Sequence, residues 1–372
     1  MRILLLNGIM WTAENGVIKQ RESIRDCMMT VMARGFVAAG HDVTLVTADD
    51  FRPRRDDEDV GCPVVYLPTR CRRVFLPAYI PWMKGLRHFL RDRINDVDMV
   101  LVSEVFSMMA LQAAGVAGKK LVIWQEMYFH QHKFFTLASR LWHNTVARTA
   151  LRDALVVARS TQARRFIARY CRYVSDDIVD HGADAATLYP SDNVDDRFIV
   201  VAQLVPRKHV DKIIDIMSRL VAREPYRHYR LDICGDGECR ADLEQQIARL
   251  GIADNITLHG HINHDSMADI LRRARAMLIY TEKDLNMVSI PEAIISGTPI
   301  VTNGVTSNSD VITRHNLGIV HDNWDEQALI DIIDNYDAYH QACVNYRDNL
   351  TNTGAARRLV DIFSRRQLLV FS

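Results

Sequence analysis

Short apolar runs alternate with helix-period stretches along this chain, and the alternation breaks once and then restarts. Residues 2–7 (RILLLN) are continuously apolar and end in Asn7-Gly8, the pattern of a strand buried on both faces. A helical stretch follows at 20–39, with Ile24, Met28, Val31, Met32 and Phe36 on one face and Gly40 placed to stop it. Residues 41–47 (HDVTLVT) are a second strand, so the chain opens as a βαβ unit. Further strands are predicted at 63–68, 98–103, 120–124 and 154–158. The texture turns polar over 180–197, which reads as a linker. Strands then recur at 197–204, 229–235, 255–260, 276–281 and 299–303, with helices at 209–222, 239–250, 265–275 and 290–296 between them. The expectation is α/β: two doubly wound, Rossmann-like parallel-sheet domains facing a cleft, 1–185 and 186–354, with ligands outside the carboxyl ends of the strands. Residues 355–372 read as a helix returning to the first domain.

Length agrees, since 372 residues exceed what one core usually serves. A formal net charge of zero, with no RNA-binding motif, argues against a nucleic-acid partner. The seven cysteines are scattered, without metal-ligand spacing, and read as reduced thiols in a cytoplasmic protein. The start MRILLLNGIMW lacks the long apolar core of a signal peptide, and no run of about 18 apolar residues spans a membrane.

Four segments can carry chemistry. The loop from Gly8 to Gly16 follows the first strand, and its Asn15-Gly16 turn lets backbone approach a ligand; a plain surface loop is the alternative. The run Gln203-Leu204-Val205-Pro206-Arg207-Lys208 follows the first strand of the second domain and leads into a helix. Helix N–H groups, the dipole and two basic side chains converge there on a site for a diphosphate, with solvated surface charge as the alternative. Gly235-Asp236-Gly237 marks a tight turn after the next strand. The fourth segment, 281–303, passes from a strand end into a short helix near Val288, Ser289 and Pro291 that ends before Gly297. Asp284 and Glu292 lie eight residues apart at its mouth, where carboxylates can accept hydrogen bonds from sugar and ribose hydroxyls. For Glu292 alone, an acid suited to a helix start is the bland reading. Asp96-Val97-Asp98 has the form of a metal-binding D-x-D but stands at the polar start of a buried strand.

Taken in order, these segments resemble the retaining glycosyltransferase family 4, glycosyl transferases of group 1, whose fold is called GT-B. The G-R-L-x-x-x-K of that family is matched by Ala202 to Lys208, with Gln203 in place of the arginine. Gly235-x-Gly237 matches its G-x-G, and Leu258-His259-Gly260-His261-Ile262 matches the loop that cups the base. Asp284-x7-Glu292 matches its E-x7-E, with aspartate first. The resemblance implies a metal-independent hexosyltransferase taking its sugar from a nucleotide diphosphate donor, UDP before GDP, with no further cofactor. Lys208 and Arg207 would stabilise the leaving diphosphate, Glu292 would hold the ribose, and Asp284 would lie near the transferred sugar. Gly16, Gln203, Gly235, Gly237, His261, Ile262, Val288 and Ser289 would contact the donor. Family members often carry a histidine after the strand occupied here by 120–124; Gln125-Glu126 stand there, with His130 and His132 further on. No dedicated nucleophile is implied, because the leaving phosphate itself helps to deprotonate the acceptor.

Residues 69–93 carry seven basic residues against one acid, interleaved with Phe75, Tyr79, Trp82 and Phe89. This mix suits peripheral contact with an anionic membrane, at the cytoplasmic face where a glycan or lipid-linked acceptor for cell-surface glycan synthesis would be met. A solvated helix with inward apolars is the alternative. Two other functions fit the architecture: a catalytically silent GT-B scaffold, kept open by Gln203 and Asp284, and a nucleotide-sugar epimerase.

Overall fold

The computed structural model describes residues 1–10, 20–75, 80–130, 136–180, 182–282, 287–306 and 308–371. The chain forms two compact units, residues 1–182 with 352–372, and residues 183–351; the expectation drew the first division at 185/186.

The first unit begins with β1 (Arg2–Leu6), α1 (Met28–Ala38), β2 (Asp42–Ala48) and β3 (Val64–Leu67). Next come β4 (Thr69–Arg70), α2 (Arg72–Phe75), β5 (Trp82–Met83) and α3 (Leu86–Arg93). It continues with β6 (Met99–Ser103), α4 (Met108–Ala117), β7 (Leu121–Gln125), α5 (Thr136–Asn144), β8 (Leu155–Ala158), α6 (Thr161–Ile167) and β9 (Tyr173–Ile178). Seven strands pair in the order β3-β2-β1-β6-β7-β8-β9, all parallel, while β4 and β5 form a separate antiparallel pair. The sheet therefore reverses its winding between β1 and β6, the switch point of a doubly wound fold.

Local sequence explains most of these elements. Helix α1 ends as predicted at Gly40, whose φ is 85°; the His41 N–H bonds the Phe36 carbonyl at 3.1 Å and the Gly40 N–H the Val37 carbonyl at 2.9 Å. That is a Schellman closure, which needs a residue free to take positive φ. Its start differs from expectation. Residues 20–27 do not join the helix, because Ser23 bridges to Arg55 and the Ile24 N–H bonds the Arg55 carbonyl at 3.1 Å. Strand β9 was missed, since YVSDDI is an edge strand with no buried residue and so carries no apolar run. The Asp96-Val97-Asp98 run also resolves: Asp98 accepts the Arg2 N–H at 2.7 Å, which ties down the polar amino end of the sheet.

The second unit holds β10 (Arg197–Val201), α7 (Val210–Val221), β11 (Arg230–Cys234), α8 (Arg240–Leu250), β12 (Ile256–Gly260) and α9 (His264–Arg272). It goes on through β13 (Ala276–Leu278), α10 (Ser289–Ile295), β14 (Ile300–Thr302), α11 (Ser309–Arg314), β15 (Gly318–Val320), α12 (Glu326–Asp334) and α13 (Tyr336–Tyr346). The order β12-β11-β10-β13-β14-β15, all parallel, places its switch point between β10 and β13. Strand β15 was also missed, being three residues long at the sheet edge. Helix α7 buries Ile213, Ile214, Met217 and Leu220, the 3.6-period stripe its sequence shows. A buried carboxylate sits on β11: Asp232 meets the Arg197 guanidinium at 2.9 Å and the His259 ring at 2.6 Å, so it has a partner on each neighbouring strand.

The last helix, α14 (Asn352–Phe371), belongs to the first unit. It packs against α1 where Gly35 removes a side chain: a Cβ there would stand 2.4 Å from the Asn352 carbonyl oxygen. The Asn352 amide adds a bond to the Val31 carbonyl at 2.8 Å. No described helix is long and apolar enough to cross a membrane.

Candidate functional site

At the switch point of the second unit, three loops lie on one another through backbone contacts. The chain leaves β10 through Ala202 and Gln203, makes a single 3-10 turn at Pro206–Lys208, and enters α7 through His209. The Ala202 N–H bonds the Cys234 carbonyl at 3.1 Å and the Leu204 N–H the Asp236 carbonyl at 3.0 Å. This contact is close because two positions opposite it lack side chains. A Cβ on Gly235 would come within 1.9 Å of the Ala202 carbonyl oxygen, and one on Gly237 within 2.3 Å of that of Leu204. Gly235 also has a φ of 143°, a region open to glycine.

The loop after β13 closes the other side. The Glu282 N–H donates to the Arg207 carbonyl at 3.0 Å, and the Thr281 hydroxyl reaches the same oxygen at 3.3 Å. Asn303, just past β14, exchanges two hydrogen bonds with the Thr281 backbone, at 2.7 and 3.2 Å. The ends of β10, β13 and β14 are thereby held in one arrangement.

Between these loops lies a cavity of about 660 Å³. Of the residues predicted from sequence, Gln203, Arg207, Lys208, Gly235, His261, Ile262, Val288, Ser289 and Glu292 line it. Lys208 is 8% exposed, so its ammonium sits in the wall, while neighbouring Arg207 lies on the exposed side of the same turn. Glu292 stands in the first turn of α10 and lines the same cavity. Gly237 does not line the cavity; it acts one layer back, beneath Leu204. Asp284 and Gly16 lie outside the described residues.

The wall also contains residues that the sequence did not single out: Val201, Ala202, Cys234, Asp236, Met267 and Met287. Burial, with Asp232 nearby, pushes the Cys234 thiol up to about 12, so its sulfur is a neutral, apolar patch of wall. Met267 and Met287 add polarizable surface against which a planar ring can pack. Basic, acidic and apolar groups thus meet in one concave place at the carboxyl ends of a parallel sheet, where doubly wound domains take nucleotides.

Comparison with known proteins gives the same division. The family model described as Glycosyl transferases group 1 matches residues 189–353, and that of the Glycosyl transferase 4-like domain matches residues 28–178. The chain belongs to the group 1, family 4-like glycosyltransferases.

Its curated relatives include the 2-deoxystreptamine N-acetyl-D-glucosaminyltransferase of Niallia circulans, 27% identical over 99 residues, or 27% of this chain and 25% of the relative. Another is the 2-deoxystreptamine glucosyltransferase of Streptomyces kanamyceticus, 27% identical over 88 residues, or 24% of this chain and 23% of the relative. These matches span about a quarter of each relative. Solved structures extend the likeness to whole chains. A glycosyltransferase from Rickettsia africae ESF-5 superposes with a TM-score of 0.62 at 12% identity, covering 98% of each chain. Anabaena Alr3699/HepE in complex with UDP gives 0.60 at 14% identity, covering 98% of this chain and all of that one. At such identities the likeness is one of fold, and the fold is GT-B.

In this glycosyltransferase the carboxyl end of the first sheet has its own polar cluster. Glu104 follows β6 with a φ of 68°. Its carboxyl group accepts hydrogen bonds from the Gln125 amide at 2.7 Å, the Glu126 N–H at 2.8 Å and the Met127 N–H at 3.3 Å. Gln125 in turn accepts the Val105 N–H at 2.9 Å. Buried Arg159 bridges Glu126 at 2.6 Å and Asp180 at 3.2 Å. Gln125, standing near the place of the family histidine, is thus committed to Glu104. His130 turns instead to Ser139 at 3.1 Å and Tyr170 at 3.2 Å, and His132 lies outside the described residues.

Burial pushes the Glu104 carboxyl from the usual 4.5 up to about 7; the charge of Glu126 adds to this, while the N–H donors and Arg159 oppose it. Between those values the folded chain holds a proton that the unfolded chain has lost. Stability therefore falls as pH rises through this window and levels off above it. Urea unfolding from about pH 5 to pH 8 is expected to show that decline, and Glu104→Gln to flatten it. An unchanged slope in the variant would refute the assignment to Glu104.

Proposed function

We propose that this protein is a retaining glycosyltransferase that moves a hexose from a nucleotide diphosphate sugar, UDP first and GDP next, to a glycan or lipid-linked acceptor. One observation carries the proposal: buried Lys208 and half-buried Glu292 both line the cavity at the β10/β13 switch point. Charge that develops on the leaving diphosphate is met by Lys208 and Arg207, groups fixed before the reaction begins. Glu292 accepts hydrogen bonds from the ribose hydroxyls, and His261 and Ile262 flank the base. Asp284 belongs near the transferred sugar. No metal and no further cofactor are invoked, since the basic side chains supply the positive charge. The leaving phosphate oxygen takes the acceptor proton. Structures of HepE holding UDP and UDP-glucose support a donor of this chemistry.

The test is a thermal-shift titration of wild type, Lys208→Ala and Glu292→Ala with UDP, GDP, ADP and CDP, without metal. A ligand at 100 times its dissociation constant stabilises by about 2.7 kcal/mol. The donor site predicts a shift for wild type that both variants lose. If wild type responds to none of the four, the donor reading is wrong. Binding without transfer or donor hydrolysis would identify the silent scaffold that Gln203 leaves open.

The acceptor is placed at the cytoplasmic membrane face, with residues 69–93 as the peripheral contact. Helix α3 buries Leu86 and Leu90 and turns Arg87, Arg91 and Arg93 outward, a surface for anionic headgroups without insertion. Vesicles rich in phosphatidylserine are expected to sediment the wild type and to release Arg87→Glu/Arg91→Glu. Equal sedimentation of both would exclude this surface. The curated relatives are named for 2-deoxystreptamine, so that amine belongs among the acceptors tried.

A further inference from the structure

His209 stands where glycine would be cheapest. Its backbone has φ 42° and ψ 42°, in the left-handed region. A residue with a Cβ is strained in that region. The position itself is demanding: the His209 N–H closes the 3-10 turn onto the Pro206 carbonyl at 3.0 Å, and its own carbonyl accepts the N–H of Lys212, in the first turn of α7, at 3.1 Å. None of this needs an imidazole.

The ring has a different engagement. Its Nε2 lies 2.7 Å from Glu282 Oε1, across the switch point and 73 positions along the chain. Glu282 is the residue whose N–H holds the Arg207 carbonyl. Backbone and side chain of one residue therefore grip Arg207 and His209, the two residues that flank Lys208. The other groups around the ring are Asp211, 3.9 Å from Nδ1, and Tyr280, edge-on at 6.0 Å. Lys212 places its ammonium 4.7 Å above the Tyr280 ring. The imidazole side chain is 18% exposed and the Glu282 side chain 67%, so the contact is half shielded from water.

We propose that His209 and Glu282 form a latch across the ends of β10 and β13 that positions the Lys208 turn for the diphosphate of the donor. They are positioning residues and touch no substrate. The inference rests on the donor reading above and adds to it two residues that no sequence motif marked. It also gives the strained backbone a purpose: the left-handed residue carries a ring so that the turn is fixed from the far strand.

The test uses His209→Gly, which suits the backbone and removes only the ring. Isothermal titration with UDP, or with whichever nucleotide shifts the wild type, is expected to give a Kd about tenfold higher, the scale of one hydrogen bond to a charged group. The melting temperature should stay level or rise, because the strain is relieved. Glu282→Gln should weaken binding in the same direction. The double variant should bind no more weakly than His209→Gly alone, since both changes break one contact. A purely structural role would lower the melting temperature and leave Kd unchanged, and that result overturns the latch. Lys208→Ala separates the two ideas. If it loses nucleotide while His209→Gly binds as wild type does, the latch fails and the donor site stands. If wild type binds none of the four nucleotides, both fall together.

Discussion

Lys208→Ala is expected to lower kcat/KM for sugar transfer by about 10²–10³, the usual cost of removing one preorganised group from a developing charge. The physical case rests on where the ammonium sits. It is 8% exposed in the wall of a concave site, so its field is less screened than that of a surface lysine. It stands on a turn held by the Glu282 N–H on the Arg207 carbonyl and by the Lys208 N–H on the Val205 carbonyl, and little reorganisation is needed when charge appears. The stem of the side chain is buried too, so alanine also removes packing. Lys208→Met, which keeps the stem, should therefore restore the melting temperature without restoring rate. Arginine is no safe substitute, since its planar fork fills the space differently. Activity of Lys208→Ala within threefold of wild type would remove this lysine from the mechanism.

The largest effect on stability is expected from Gly235→Ala. The added carbon meets the Ala202 carbonyl oxygen at 1.9 Å and its carbon at 2.9 Å, both backbone atoms that no rotamer change can move. The strand ends cannot part freely, because Gly235 donates to the Gly260 carbonyl at 2.9 Å on its other side. Overpacking and the unfavourable φ together cost about 4 kcal/mol. In a unit of this size that lowers the melting temperature by roughly 10 °C. Gly251→Ala is the natural comparison: its φ is 69°, yet nothing lies within 4 Å of the added carbon. It should cost only about 1 kcal/mol, the backbone share alone. Equal shifts in the two variants, read by circular dichroism, would show that the close approach of the two loops is not what makes Gly235 necessary.

Much of this architecture was legible because parallel strands are buried on both faces. Runs such as 98–103 and 197–204 are then apolar without interruption, and helix stops such as Gly40 are unambiguous. Strands β9 and β15 were missed as edges, where burial no longer dictates composition, and β4 and β5 because two residues carry no periodicity. The basic turn and Glu292 were readable as a pair because motif spacing and helix grammar coincide at α10. The His209–Glu282 contact was not, since nothing local links positions 73 apart. Glu104 was hidden for a related reason: its partners lie on the next strand, and its backbone conformation has no composition signal in glutamate. Cys234, Met267 and Met287 line the site, yet no motif marks them in the sequence.

The chain begins and ends in the same unit, and the other unit is spliced into it between Gly182 and Asn352. Helix α14 is a wall of the first core, with Ala355, Ala356, Leu359 and Phe363 buried in it. On a ribosome the usual order, first made and first folded, is therefore reversed. The second unit is complete once residue 351 has emerged, while the unit that was started first waits for α14. Truncation within α14 would injure the first unit, since residues 1–182 and 352–372 form a single folding event.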